Sequence, residues 1–222
     1  MNDLRIPWYR QAVTNLFSHW WLKVFCIPLL IGVFFAAYFY LLRHPAYPVT
    51  VMPLTALDRL IGFQPLALPM YLSIWVYVSL PPALLATRRD LKAYAKDIGL
   101  TCLAGLLVFY FWPSTVPVGD IDWALSPTVG LLKNLDAAGN ACPSLHVATT
   151  AFSCLWLGDI LRRIGAPRWV SVLSWGWFVG ISYSTLATRQ HVVIDVLAGL
   201  ALGLAAGWLS LRIRRDGHAQ HV

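Results

Sequence analysis

Six long apolar runs constrain the fold of this sequence more than any other feature. They lie at about residues 21–42, 66–86, 98–112, 146–161, 169–184 and 192–211. A helix needs about 20 mostly apolar residues to cross the hydrocarbon core of a bilayer. The runs therefore predict an all-α integral membrane protein with six transmembrane helices, formed by residues 1–222 as a single membrane domain.

The composition supports a membrane protein and argues against a nucleic-acid-binding one. Hydrophobic residues make up 58% of the chain and charged residues only 12%, whereas soluble domains have about 45–50% and about 25%. The 11 tryptophans are typical of the belts that form where hydrocarbon meets water. The net charge of +7 is spread along the chain and not gathered on one soluble module. We therefore expect a lipid bilayer, and no nucleic acid, as partner.

The basic residues predict how the chain is oriented in the membrane. Thirteen of the 17 lysines and arginines lie in four segments that alternate with the runs, namely residues 5–23, 88–96, 162–168 and 212–215. The positive-inside rule places these segments, and with them both termini, in the cytoplasm. The connections left on the outer side are residues 43–65, 113–145 and 185–191. We expect a plasma-membrane protein, in bacteria of the inner membrane, whose site faces the periplasm or exterior.

The two ends of the chain are less apolar than the runs. Residues 1–20 show no cleavable signal pattern. Their mixture of Trp, Leu, Phe and Arg is compatible with a short interfacial helix and equally with a partly ordered tail. Residues 213–222 are predicted to form a flexible, solvated tail.

Two histidines and an aspartate form the candidate catalytic group. His146 opens the fourth run, His191 opens the sixth, and both lie on the predicted outer side. Asp195 follows His191 by four residues, so both side chains share one helix face. A carboxylate that holds one imidazole nitrogen leaves the other free to attack, and a second histidine can protonate a leaving group. The pattern predicts a nucleophile oriented by an acid.

Three further residues are candidates for binding phosphate. Ser144 offers a hydroxyl and is a natural cap for the fourth helix. Arg189 carries a planar guanidinium that fits phosphate oxygens. Lys133, in the long outer connection, is the second candidate for this role. The N-termini of the fourth and sixth helices add N–H groups and positive dipole ends that favour an anion.

Other interpretations of these residues remain open. His146, His191 and Asp195 could instead be three ligands of a catalytic zinc ion. The neighbouring Ser144 and Arg189 suit an anion better than a cation, so we favour a phosphate site and expect no metal and no cofactor. A transporter or scaffold that only binds anionic lipid is a second alternative, although binding alone requires cations and no oriented nucleophile.

Two motifs resemble those of the type 2 phosphatidic acid phosphatase superfamily. Residues 143–146, PSLH, are similar to its second motif, P-S-G-H, and residues 184–195, STLATRQHVVID, to its third, S-R-x5-H-x3-D. The order and the six-run layout also agree. The resemblance implies a lipid phosphate substrate, His191 as a nucleophile that becomes phosphohistidine, Asp195 as its orienting acid and His146 as the proton donor.

The chain also departs from that pattern in three places. Leu145 replaces the glycine of the second motif, Thr185 replaces the arginine of the third, and the first motif, K-x6-R-P, is missing. In these departures the chain resembles the branch that contains the inositol phosphorylceramide and sphingomyelin synthases. Members of that branch transfer the group held on the phosphohistidine to an alcohol instead of water. We therefore predict a membrane enzyme that hydrolyses a lipid phosphate or pyrophosphate, with transfer of a phospho-headgroup to an alcohol as the alternative.

Overall fold

The computed structural model describes residues 6–117 and 140–219, with side chains as far as residue 216. The α-helices of these segments are α1 (Trp8–Phe17), α2 (Ile27–Arg43), α3 (Ala56–Ile61), α4 (Leu68–Leu72), α5 (Ile74–Leu84), α6 (Arg88–Phe111), α7 (Leu145–Arg163), α8 (Arg168–Ala187) and α9 (Val193–Ala219). A π-helical turn leads into α2 and a 3-10 turn precedes α4. Two short strands, β1 (Thr50–Val51) and β2 (Ser114–Thr115), pair in parallel.

All six apolar runs are helical, which confirms the prediction of a helical membrane protein. Four helical stretches are long and apolar enough to cross a bilayer: Leu22–Arg43, Pro65–Leu84, Arg88–Phe111 and Val193–Asp216. Helices α7 and α8 have 19 and 20 residues but are less apolar, and they are not among these four. The arrangement with six spans and two cytoplasmic termini therefore stays a prediction.

Two helix boundaries differ from those expected. Helix α6 begins at Arg88, about ten residues early, because the Thr87 side chain accepts a hydrogen bond from the backbone N–H of Asp90 at 3.1 Å and caps it. The basic segment that we expected to be a connection is thus its first turns. Helix α9 continues to Ala219, into the predicted tail. For the N-terminal segment, where a short helix and a partly ordered tail were both open, the structure has helix α1, which buries none of its residues.

Helix α7 is the centre of the bundle. Twelve of its 19 residues are buried, and it packs against α5, α6, α8 and α9. Its neighbours take up its polar groups, as where the Ser153 hydroxyl lies 2.9 Å from that of Tyr94 and the indole N–H of Trp156 donates to Ser210 at 3.2 Å. A helix surrounded by protein does not need the apolar surface of one that faces lipid, which explains the lower apolarity of α7.

The two ends of α7 have different chemistry. At its C-terminal end Asp90 lies 3.2 Å from Arg163 and 2.8 Å from Arg214, and Asp159 pairs with Arg162. At its N-terminal end, about 27 Å away for 19 residues, lie both candidate histidines and the small sheet. The charged cluster and the candidate site therefore occupy opposite ends of one helix.

Candidate active site

The start of α7 carries the first candidate motif. Ser144 is its N-cap and is fully buried, and its hydroxyl oxygen accepts a hydrogen bond from the backbone N–H of Val147 at 3.3 Å. His146 follows in the first turn and is half-buried. The predicted cap is thus present, and the Ser144 O–H remains able to donate to a ligand.

The connection between α8 and α9 carries the second motif. The carbonyl oxygen of Thr185 accepts from the backbone N–H of Gln190 at 3.1 Å and from that of His191 at 3.2 Å. These two bonds fold the connection back over the end of α8. Arg189 lies at the turn with a φ of 57°, a left-handed conformation that is uncommon for a residue with a side chain. The chain therefore reverses within five residues and delivers His191 just before α9 begins.

The two histidines are in direct contact. Nδ1 of His146 lies 3.2 Å from Nε2 of His191, a hydrogen-bond distance, although the residues are 45 positions apart in the sequence. His191 is only 5% exposed. The structure thus brings together two histidines that the sequence analysis had grouped as one candidate site.

Asp195 links the two motifs through both its side chain and its backbone. Its Oδ2 accepts a hydrogen bond from the backbone N–H of Val192 at 3.1 Å and lies 3.6 Å from Nδ1 of His191. Its carbonyl oxygen accepts from the backbone N–H of Ser144 at 3.0 Å. The carboxylate is completely buried. It therefore caps α9 and at the same time stands on the side of His191 that faces away from His146.

Small residues permit the close approach of α7 and α9. Gly199, Gly203 and Gly207, which we call the glycine stripe, recur at every fourth position of α9. A Cβ on Gly199 would collide with the carbonyl oxygen of Ser144, and one on Gly203 with that of Ala148. Stripes of this kind let membrane helices pack backbone to backbone. The stripe thus brings the first turns of both helices, and with them the two histidines, into contact.

Tyr71 is a site residue that sequence reasoning missed. This residue of α4 is 5% exposed, and its hydroxyl lies 3.0 Å from Nε2 of His146. Both nitrogens of the His146 ring therefore have a partner, Tyr71 on one side and His191 on the other. A tyrosine within an apolar run gives no sign of such a contact, because aromatic residues are common throughout membrane helices.

Asp58 is a second residue that the sequence did not single out. It is 3% exposed, and its Oδ1 accepts a hydrogen bond from the backbone N–H of Val193 at 2.9 Å. The amides of Val192, just before α9, and of Val193, its first residue, are therefore held by carboxylates of the protein itself. We had expected this helix terminus to offer its N–H groups to an anion, and in the structure these two are already bonded.

Cys142 borders the site from the loop before α7. Its backbone N–H donates to the Ser114 hydroxyl at 2.9 Å, and the residue is buried. Burial, and then the charge and hydrogen bonding of Asp195, raise the pKa of the Cys142 thiol to about 11. The thiol therefore stays protonated at neutral pH and gives the Asp195 carboxylate an uncharged neighbour.

The predicted phosphate ligands fall into different places. Ser144 lies at the site, and Arg189 lies two residues before His191, where it is half-buried. Lys133 lies outside the described residues. Thr185, which replaces the arginine of the family motif, donates its hydroxyl to the carbonyl oxygen of Ser182 at 2.8 Å. Within residues 6–117 and 140–216, no three His, Cys, Asp or Glu side chains are placed to hold a metal ion together.

The fold and the site define a helical membrane protein with two histidines and a carboxylate gathered at the first turns of two adjacent helices. The family model of the PAP2 superfamily matches residues 89–218, which include both motifs and more than half of the chain. The chain therefore belongs to the PAP2 superfamily, and membership indicates a phosphatase or phosphotransferase that acts on phosphate esters. Comparisons with curated proteins and with solved structures gave no match.

Proposed function

We propose that the protein is a membrane enzyme that hydrolyses a lipid phosphate or pyrophosphate through a phosphohistidine on His191. One observation carries the proposal: the imidazole of His191 lies between Asp195, 3.6 Å from Nδ1, and His146, 3.2 Å from Nε2. A carboxylate beside Nδ1 favours the tautomer with the proton on that nitrogen, which leaves the lone pair on Nε2. Membership in the PAP2 superfamily supports the same reaction class.

The reaction has two balanced steps. In the first, the lone pair of His191 Nε2 attacks phosphorus, the bond from phosphorus to the lipid oxygen breaks, and protonated His146 gives its proton to that oxygen. In the second, His146 takes a proton from water, whose oxygen attacks the same phosphorus and displaces His191. The phosphorylated imidazole carries a positive charge while Nδ1 keeps its proton. The buried carboxylate of Asp195 then stabilises that charge.

Substrate must separate the two histidines. A phosphoryl group that is attacked by one imidazole and loses its leaving oxygen toward the other must lie between them. The 3.2 Å contact between the ring nitrogens leaves no room for it. We infer that the contact belongs to a resting state. Binding replaces one hydrogen bond between the imidazoles by bonds from each to the substrate, which keeps the exchange nearly balanced.

The position of the site supports an outer-facing active centre. The histidines lie at the opposite end of α7 from the cluster formed by Asp90, Arg163 and Arg214, and basic ends of membrane helices face the cytoplasm. A lipid can present its phosphate there while its tails stay in hydrocarbon. A reporter fused at residue 165 should report the cytoplasm and one at residue 47 the exterior. For a protein of the bacterial inner membrane, that exterior is the periplasm. The reverse pattern would contradict this orientation.

Transfer to an alcohol is the second candidate. Thr185 occupies the arginine position of the family's third motif, and its hydroxyl donates a hydrogen bond within its own helix, to the carbonyl oxygen of Ser182. The same substitution is part of the resemblance to the sphingomyelin synthase-like branch. In that reaction the hydroxyl of a second lipid, instead of water, would attack phosphohistidine, and His146 would accept the alcohol proton.

A single assay separates these functions. Purified protein is incubated with labelled lipid phosphates and pyrophosphates, with and without diacylglycerol-like and ceramide-like alcohols, and both free phosphate and new lipids are measured. We expect free phosphate that depends on His191, so the His191→Ala variant should release none. New labelled lipid formed only with an alcohol would support the transferase. Lipid binding without turnover would instead favour a non-catalytic binder or transporter.

A further inference from the structure

Asp58 occupies an unusual position for a residue outside both motifs. It belongs to α3, a short helix in the outer connection between α2 and α4, and it lies 135 residues before its partner Val193. Its two carboxylate oxygens have separate tasks. Oδ2 accepts from the backbone N–H and from the hydroxyl of Thr55, each at 2.7 Å. Oδ1 accepts from the backbone N–H of Val193 at 2.9 Å.

The contact falls at the start of α9, directly beside the proposed nucleophile. Val193 is the first residue of α9 and lies two positions after His191. Asp195 accepts a hydrogen bond from the amide of Val192, and Asp58 accepts one from the amide of Val193. Two buried carboxylates therefore bind consecutive backbone N–H groups. On its other side, His191 is held by its own N–H, which donates to the carbonyl of Thr185. The backbone at His191 is therefore fixed from both directions.

We propose that Asp58 is a positioning residue for the reaction, because it fixes the backbone that carries His191. This inference rests on the proposed function. Charged hydrogen bonds at a helix N-terminus are stronger than neutral ones, and the Thr55 bonds hold the carboxylate in one orientation. The hydrogen bonds of the Asp58 carboxylate go to Thr55 and Val193 and not to His191. Asp58 therefore acts on His191 through the Val193 amide. A misplacement of about 1 Å at a reacting group can cost a large factor in rate.

The alternative is that Asp58 only ties α3 to the bundle. Asp97 offers a matched control, because its Oδ2 accepts from the Ser210 hydroxyl at 2.6 Å and so ties α6 to the far end of α9. Both Asp58 and Asp97 join α9 to another helix through one part-buried hydrogen bond. They differ in their distance from His191, since Ser210 lies 19 residues after it.

The experiment compares Asp58→Ala, Asp58→Asn and Asp97→Asn in the full-length protein. For Asp58→Ala we expect kcat to fall by about tenfold or more, with KM within about twofold, and Asp58→Asn should fall between it and wild type. Asp97→Asn should keep the wild-type kcat. Equal losses of kcat in the Asp58 and Asp97 variants, or a change confined to KM, would overturn the proposal.

A milder pair of variants keeps the test decisive if Asp58→Ala does not fold. Thr55→Ala removes the hydroxyl that orients Asp58 and leaves the carboxylate in place, whereas Thr55→Ser restores the hydroxyl. We expect a lower kcat in Thr55→Ala and recovery in Thr55→Ser. A Thr55→Ala variant with the kcat of wild type would contradict a positioning role.

Hydrogen exchange tests the contact without any need for turnover. The segment 189–196 is followed by mass spectrometry in wild type, Asp58→Ala and Asp97→Asn. The Val193 amide should exchange faster only in Asp58→Ala. Unchanged exchange in that variant would refute the tether itself. Wild type that turns over no phosphate ester would refute the proposed function instead, and the exchange data would still decide the contact.

Discussion

The hydroxyl of Tyr71 lies 3.0 Å from Nε2 of His146. The other nitrogen of the same ring lies 3.2 Å from His191, so Tyr71 completes a chain of four side chains that runs from Asp195 through both histidines. An imidazole with a partner on each nitrogen has a fixed tautomer and a fixed ring orientation. In the proposed reaction, Tyr71 is therefore placed to control how His146 presents its proton.

Removal of the Tyr71 hydroxyl should slow the step that needs a proton donor. We expect Tyr71→Phe to lower kcat on a lipid phosphate by about tenfold, because a misoriented general acid loses part of its effect. On nitrophenyl phosphate, whose leaving group needs little protonation, the loss should be smaller. Steady-state kinetics on both substrates provides the measurement.

Tyr77→Phe is the control for this comparison. Tyr77 is also buried, and its hydroxyl lies 2.8 Å from that of Ser174, away from the site. It should change neither activity by more than about twofold. Equal losses on both substrates in Tyr71→Phe would show that Tyr71 does not act through proton donation.

The glycine stripe should control the distance between the histidines. Gly203→Ala places a methyl group against the carbonyl oxygen of Ala148, so α9 must move away from α7. We expect a loss of stability of about 1–3 kcal/mol, as for overpacked cores, together with a loss of activity. Thermal unfolding in detergent and turnover measure the two effects.

Gly176→Ala is the matched control in α8, where an added methyl meets nothing within 4 Å. It should be neutral or slightly stabilising, because alanine favours a helix over glycine by about 1 kcal/mol. A Gly203→Ala variant that is as stable and as active as Gly176→Ala would contradict the close packing of α7 and α9.

Arg189 should be needed for activity, because its planar guanidinium is the proposed ligand of the phosphoryl oxygens. Arg189→Lys, which keeps the charge and loses the planar fork, should lower kcat by about tenfold or more. Arg189→Ala should lower it further, and by more than Lys133→Ala. A greater loss in Lys133→Ala would reassign the phosphate ligand.

Cys142 reports on the charge of Asp195. Burial and the Asp195 carboxylate raise the pKa of the thiol to about 11 from 9.0. In a variant whose other three cysteines are alanine, the rate of alkylation should therefore still rise about tenfold per pH unit near pH 10, since only the thiolate reacts. Asp195→Asn removes one of the causes, so the rate should level off at a lower pH.

The control for that experiment is Asp97→Asn, which removes a carboxylate of α6 that contacts Ser210 in the far half of α9, and it should leave the profile of Cys142 unchanged. An alkylation rate that levels off near pH 9 in the parent variant would show that the thiol is neither buried nor close to Asp195.

Much of the fold could be predicted from the sequence because apolar length and polarity act locally. The six runs became helices, since each is apolar enough to be removed from water. The start of α6 was misplaced because a cap formed by Thr87 and Asp90 outweighed the charged character of the segment. That signal was present, as was the glycine stripe, whose spacing of four residues is legible in the sequence.

The site was predictable in part for a similar reason. His191 and Asp195 share a helix face, so their proximity follows from spacing alone. The grouping of His146 with His191 followed from their positions at the outer ends of two runs and was supported by the family resemblance, but their direct contact joins distant segments, so no local rule gives it. Tyr71 and Asp58 reach the site from α4 and α3, and no local rule gives the packing of those elements. The Thr55–Asp58 capping box can be predicted from the sequence. The second partner of Asp58, the Val193 amide, cannot.

If the phosphoryl group passes through His191, the phosphorylated histidine can be trapped during turnover. Wild-type protein is mixed with a lipid phosphate labelled in its phosphoryl group, quenched during turnover, and analysed for protein-bound label that is lost in acid and kept in base. We expect such label on His191 and none in His191→Ala. Label retained in His191→Ala and lost in His146→Ala would contradict this expectation and assign the nucleophile to His146.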